Sequence, residues 1–224
     1  MRKLGVIAAA AVVGCLMAAP AHAALILQIS DGTTTVTVAD GGVGDMNGAA
    51  GAVTVIATLG TWIVNVSTGL GDPILDLGHL DLGSINVNGG GAGTLDILLT
   101  QTGNTAPFPG WAMLFGGTLS GSAGSTVRHD AWKDNGNVAF GQASLIGTVG
   151  PFGLGAFSGS ASGSTPAGAL YSLTERIRIS ATGFVNLSDD AELTPLPEPA
   201  SIALLGMGLV GLAGVARRRF RKGD

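Results

Sequence analysis

The chain has almost no cysteine: Cys15 is the single one, and it lies inside an N-terminal apolar stretch. The rest of the protein therefore holds no disulfide, no thiol nucleophile and no Cys-based metal site. Cations are equally scarce. Of 11 Lys and Arg, only Arg128, Lys133, Arg176 and Arg178 fall between residues 24 and 199, where 14 of the 15 acids lie. A segment this acidic is a poor partner for nucleic acid, which needs clustered cations to meet phosphates. Aromatics are few, with one Tyr and three Trp, too few for the interfacial girdles of an outer-membrane barrel. Good helix formers such as Glu, Lys, Arg and Gln are sparse across the same region. No G-x-S-x-G, H-E-x-x-H or phosphate-loop pattern occurs.

Glycine is abundant, 38 in all, and it is mixed with Ser, Thr, Asn and β-branched residues. That mixture suits short strands and tight turns. Period-2 alternation recurs from residue 25 onward. Leu25–Ser30, the turn signal Asp31-Gly32 and Thr33–Ala39 predict a hairpin. Ala52–Thr58 and Thr61–Ser67 flank a Leu59-Gly60 turn, and Trp62, Val64 and Val66 share one face. Ser84–Asn88 and Thr94–Thr100 bracket Gly89-Gly90-Gly91 as a further hairpin. Trp111–Phe115, Thr126–Lys133, Asn137–Val149, Phe152–Ser158 and Leu170–Leu187 supply the remaining strands. Gly159–Gly168 reads as a flexible surface loop. About ten strands at short spacing predict an all-β fold: a single antiparallel β-sandwich of jelly-roll type, with a parallel β-helix as runner-up.

Both ends differ from this body. Arg2 and Lys3 precede the apolar run Leu4–Ala19, and Ala21-His22-Ala23 is an A-x-A site. This is the pattern of a secretory signal peptide over 1–23, cleaved after Ala23 and marked by Ala21 and Ala23. At the other end, residues 189–196 read as a linker to Pro197-Glu198-Pro199. An uncharged apolar segment, 200–216, follows, and then the basic tail 217–224 with Arg217, Arg218, Arg219, Arg221 and Lys222. Seventeen residues at about 1.5 Å each give a helix of roughly 25 Å, at the short edge of what spans a bilayer core. The basic cluster resists translocation and stays cytoplasmic, so the body (24–188) is placed outside the cytoplasmic membrane. Two prolines hold the tripeptide extended, the form a protease cleft accepts.

The order of tripeptide, apolar segment and arginine cluster resembles the PEP-CTERM sorting signal of exported Gram-negative bacterial proteins. The resemblance rests on Pro197-Glu198-Pro199, on Ser201–Ala216 with Leu204-Leu205-Gly206, and on Arg217–Arg219; it is confined to this tail. It implies an exosortase as partner, a transient inner-membrane anchor, and removal of the tail before the body reaches the cell surface or extracellular space. It further implies an association with exopolysaccharide and biofilm matrix.

For the body, the favoured expectation is a structural or adhesive role without catalysis. The alternative is a carbohydrate-binding module with Trp62, Trp111 or Trp132 as a stacking platform. A polysaccharide-active enzyme ranks third, since paired carboxylates on different strands leave no sequence signature. His129 and Asp130 are adjacent, so their side chains point to opposite faces of a strand, a poor start for a triad. His79, among leucines, reads as structural or superficial. No cofactor is expected. Ca²⁺ is the one candidate ion, for the loop Asp40–Gly48 with Asp40, Asp45 and Asn47, although Asp, Asn and Gly also favour plain turns.

Overall fold

A computed structural model describes residues 23–196, together with Met207. Ala21, Pro197, Glu198, Pro199, the rest of the apolar segment 200–216 and the basic residues Arg217, Arg218, Arg219, Arg221 and Lys222 lie outside the described residues. Among the described residues no helix is long and apolar enough to cross a membrane.

Among the described residues twelve strands form two six-stranded sheets, with every pairing antiparallel. They are β1 (Leu25–Ser30), β2 (Thr35–Ala39), β3 (Ala52–Leu59), β4 (Trp62–Leu70), β5 (Leu80–Gly89), β6 (Gly93–Asn104), β7 (Gly110–Gly121), β8 (Thr126–Asp134), β9 (Ser144–Phe152), β10 (Gly155–Ser164), β11 (Tyr171–Ala181) and β12 (Val185–Leu196). One sheet has the order β2-β1-β6-β11-β8-β9 and the other β10-β7-β12-β5-β4-β3. This is the antiparallel sandwich that the alternation predicts. The inner faces meet in one core, built from Leu25, Leu27, Ile97, Leu99, Ile177 and Ile179 on the first sheet. Val64, Val66, Leu82, Phe115, Leu187 and Leu193 face them from the second.

The hairpins β1–β2 and β3–β4 form as expected. Other expectations do not hold. Residues 137–143, expected to open a strand, are loop, and the expected strand 170–187 is two strands, β11 and β12, divided by the turn 182–184. Strands β5 and β6 are not a hairpin: β5 pairs with β4 and β12 in one sheet, and β6 with β1 and β11 in the other. Alternation states which face of a strand is buried, not which strand lies beside it. Residues 159–164 are not loop but the second half of β10. Its serines point outward, and its glycines face β9, where a Cβ on Gly163 would sit 1.8 Å from the Ile146 carbonyl oxygen. Small residues there let the two sheet edges close on each other. Residues 189–196 are not a linker either. They continue β12, a central strand paired with β7 as far as Leu196↔Gly110. Ala191 and Leu193 are buried there, which holds the segment in the sheet.

Connections alternate between the two ends of the sandwich. At one end the turns 31–34, 60–61, 90–92, 122–125, 153–154 and 182–184 are two to four residues long. At the other end lie the longer loops 40–51, 71–79, 105–109, 135–143 and 165–170. Both chain exits are at that loop end. The Ala24 carbonyl accepts a hydrogen bond from Thr102 N at 3.0 Å, and Leu196 pairs with Gly110. The two sheets are joined there by Lys133. Its Nζ donates to the Pro166 carbonyl (3.0 Å) and lies over the rings of Tyr171 and Trp111, at 4.2 and 5.3 Å.

Candidate functional site

The outer face of the second sheet carries an ordered polar surface. In antiparallel pairing, facing residues share a face and place their Cβ atoms about 5 Å apart. The register therefore draws rows across the sheet. One row runs Asn65, Asn86, Ser188, Thr118 across β4, β5, β12 and β7, and the next runs Ile63, Asn88, Asn186, Ser120. Together they line a hollow of about 400 Å³. The strands put these residues outside because Val64, Val66, Val87 and Leu187, their alternate neighbours, fill the core. Asn86, Asn88, Ser188, Thr118 and Ser120 are exposed, and Asn65 and Asn186 are half-buried. Each side-chain amide offers both donor and acceptor, and each hydroxyl does the same.

Toward the loop end the same face becomes acidic. Glu192 on β12 faces Asp81 on β5 and Leu114 on β7, and Leu114 faces Ser160 on β10. Asp190 lies one row away, opposite Gly116. These groups line a second hollow of about 490 Å³. A register shift between Asp189 and Ala191 accompanies Ser84 in the left-handed region (φ 53°), and the Ser84 amide donates to Asp190 Oδ1. His79 Nε2 contacts Glu192 Oε1 at 2.9 Å, and the Thr194 hydroxyl donates to the same oxygen at 3.2 Å. Burial raises the Asp81 carboxyl above the usual range, and the charges of Glu192 and Asp190 push the same way. His79, expected to be structural or superficial, thus sits at the margin of this acidic hollow.

The tryptophans are not a sugar platform. Trp62, Trp111 and Trp132 are 3%, 0% and 8% exposed. Trp62 and Trp111 belong to the core, and the Trp111 indole N–H donates to the Gly78 carbonyl at 3.2 Å. Trp132 lies on the outer face of the first sheet beneath the Arg176 guanidinium, 4.7 Å from its ring. Packing in a thin sandwich uses all three for burial.

His129 and Asp130 do point to opposite faces. His129 is in the core, with Nε2 3.2 Å from Glu175 Oε1 and neither side chain exposed. Burial lowers the imidazole to about 4 and raises the Glu175 carboxyl well above its ordinary value. Asp130 faces outward and accepts from Arg176 (2.7 Å), Arg128 (3.0 Å) and Thr148 (2.7 Å).

In the loop Asp40–Gly48 the side-chain oxygens are aimed at backbone amides. Asp45 accepts from Gly41 N (2.9 Å), Asn47 N (2.9 Å) and Thr54 N (3.0 Å). Asp40 accepts from Gly51 N (2.6 Å), and Asn47 from Ala49 N (3.0 Å). This is how such residues stabilise turns.

Sequence reasoning missed the asparagine rows. Their signal was present: asparagine is depleted in strands, yet Asn65, Asn86, Asn88 and Asn186 all occupy outward positions of predicted strands.

Residues 195–219 match the PEP-CTERM protein-sorting motif, so the chain carries this signal at its C-terminal end. No curated protein matches the chain. Among solved structures, TmCBM61 in complex with β-1,4-galactotriose is similar at 13% identity and a TM-score of 0.32, over 61% of this chain and 90% of that one. The K1 cleaved adhesin domain of Lys-gingipain from Porphyromonas gingivalis W83 gives 14% and 0.34, over 65% and 99%. The carbohydrate-binding module CBM6cm-2 from Cellvibrio mixtus lichenase 5A, in complex with cellotriose, gives 15% and 0.29, over 69% and 93%. These likenesses are too slight to carry an argument about function.

Proposed function

We propose that this chain is an exported protein whose tail anchors it in the inner membrane until an exosortase removes it, and whose body then serves a structural or adhesive role in an extracellular polysaccharide matrix. The observation that carries the reading is the sorting motif over residues 195–219, which begins within the last two residues of β12. An export route ending in release of the body suits a domain that functions outside the cell. The acidic, cysteine-free composition suits it too, because the fold depends on no disulfide.

A second reading is favoured by the polar rows of the second sheet: the body binds polysaccharide directly through Asn86, Asn88, Asn186 and their hydroxyl neighbours. A sugar hydroxyl both donates and accepts, and the amides of these rows do the same. Their register repeats across four strands, so an extended chain of sugars meets the same chemistry at successive positions. No catalytic residue is assigned in either reading. His129 and Glu175, the one close pair of acid and base in the core, are sealed from solvent.

Mass spectrometry of the exported protein, with the producer's exosortase present and deleted, tests the first reading. The expected result is loss of the segment after the Pro197–Pro199 region only when the enzyme is present. An unchanged C-terminus in both strains would contradict it. Retention of the mature body on the producer's own polysaccharide, compared with neutral and charged control glycans, tests the second. Equal retention on all of them would sink it.

A further inference from the structure

The loop end of the sandwich is tethered closely to the proposed anchor. Leu196 is still paired with Gly110 in the sheet, so only Pro197, Glu198 and Pro199 separate the folded body from the apolar segment that begins at Ala200. Three residues span at most about 11 Å. The N-terminal exit is at the same end, where Ala24 is held by Thr102. While the tail is inserted, this end of the domain therefore sits within a few residues of the bilayer, and the turn end points away.

The side chains at the two ends differ accordingly. Loops 40–51, 71–79, 135–143 and 165–170 expose Val43 (101%), Met46 (65%), Ile74 (46%), Leu77 (39%), Val138 (55%) and Leu170 (47%). Among the described residues, the turn end exposes Leu154 and Phe184, with Ile63 beside the turn 60–61. Large apolar side chains exposed on several loops of one end give that end a surface suited to an apolar partner. Of the four carboxylates in loops 40–51 and 71–79, Asp40 and Asp45 are occupied by backbone amides, which lessens their opposition to such contact, whereas Asp72 is half-buried and Asp76 is exposed beside Leu77.

We propose that the loop end is a lipid-docking surface: before the tail is removed, the tips carrying Val43, Met46, Ile74 and Leu77 rest in the interfacial region of the bilayer that holds the tail. The contact is apolar, because the body is too acidic to be drawn to anionic headgroups, and so it persists at high salt. It orients the sandwich with the Pro197–Pro199 segment against the membrane surface and the acidic hollow of Asp81, Asp190 and Glu192 on its flank. The inference rests on the anchored state in the proposed function. Release of the tail removes the tether and leaves the loop tips as the only lipid contact.

The chain from residue 24 onward, which has no cysteine once the signal peptide is removed, is reconstituted into phosphatidylcholine vesicles with brominated acyl chains to test this. Single cysteines carrying an environment-sensitive fluorophore are placed at Val43→Cys and Ile74→Cys in the loops, and at Thr33→Cys and Ala123→Cys in the turns. Met207→Cys reports the tail. The expected result is quenching at 207, 43 and 74 that withstands high salt, with none above background at 33 and 123. Quenching at 207 without quenching at 43 and 74 overturns the docking surface and leaves the anchor intact. Equal quenching at both ends overturns the orientation. No quenching at 207 removes the anchor itself, and the proposal with it.

Discussion

His129 and Glu175 meet inside the core, Nε2 to Oε1 at 3.2 Å, with neither side chain reaching solvent. Burial drives both toward neutrality: the imidazole falls to about 4, and the carboxyl rises well above its ordinary value. The consequences for stability have opposite signs. Below the unfolded histidine value of 6.5 the unfolded chain takes a proton that the folded one refuses until about 4. That contribution to stability therefore falls as pH drops through this window. Above 4.5, the ordinary value for Glu175, the unfolded chain loses a proton that the folded one keeps, so stability falls as pH rises. From 4.5 upward, below 6.5, the two oppose each other.

Glu175→Gln keeps the shape and removes the ionisation. Urea unfolding followed upward from pH 4.5 is expected to show stability falling less steeply with pH than in wild type, by up to about 1.4 kcal/mol per pH unit. Identical slopes would show that Glu175 is charged in the folded state. Asp189, buried with a carboxyl that burial and the neighbouring Asp190 charge hold well above the ordinary range, is expected to behave the same way in Asp189→Asn.

Asp130 carries the opposite logic. Burial alone would raise its carboxyl, but hydrogen bonds from Arg176 and Thr148, with the charges of Arg176 and Arg128, outweigh this and hold it below 3.8. Its stabilisation is present above 3.8 and is lost as pH falls through the lower folded value. Asp130→Ala leaves the largely buried Arg176 without its acceptor and is expected to cost about 3–5 kcal/mol. Thr148→Val, which removes one hydrogen bond, is expected to cost about 1 kcal/mol. Arg128→Ala costs less again, because that side chain is more than a third exposed. A reversed ranking in denaturant titrations would refute this account.

Much of the sandwich was legible in the sequence, because alternation is a local property. Trp62, Val64 and Val66 marked one buried face of β4 before any neighbour was known, and they are buried. What was not legible depends on distant partners. The Gly-Ser stretch 159–164 looks like part of a flexible surface loop until Ile146 is brought against Gly163. Residues 189–196 look like a tether because Asp189, Asp190 and Pro195 are poor strand formers, yet β7 supplies a partner for all eight. Trp111 and Trp132 looked available for stacking because exposure cannot be read from residue type. The asparagine rows appear only once the registers of β4, β5, β12 and β7 are combined.

The approach of β9 and β10 gives a test by substitution. A Cβ on Gly163 would lie 1.8 Å from the Ile146 carbonyl oxygen, a backbone atom that cannot rotate away. Gly163→Ala must push the two sheet edges apart and is expected to cost about 1–3 kcal/mol, as overpacking does. Gly153→Ala, at a position with nothing within 4 Å of the new atom, is the control and is expected to lie within about 0.5 kcal/mol of wild type. Equal midpoints for the two variants in chemical denaturation would mean that the edges are not in contact.

The asparagine rows separate recognition from scaffolding. Asn86 and Asn88 are exposed and Asn186 is half-buried, and their backbone ladder bonds do not depend on the side chains. Replacing all three by alanine is therefore expected to change stability by no more than about 0.5 kcal/mol per site. If the rows bind polysaccharide, each lost amide removes about 1 kcal/mol of hydrogen bonding, and retention on the matrix glycan falls on the order of 10–100-fold for the triple variant. Asp81→Asn with Glu192→Gln, in the neighbouring acidic hollow, distinguishes the two parts of the face. If binding is confined to the asparagine rows, this pair leaves retention unchanged. Undiminished retention in the asparagine variant, with its unfolding midpoint preserved, would remove the second sheet's outer face from the binding account and leave the body as a scaffold alone.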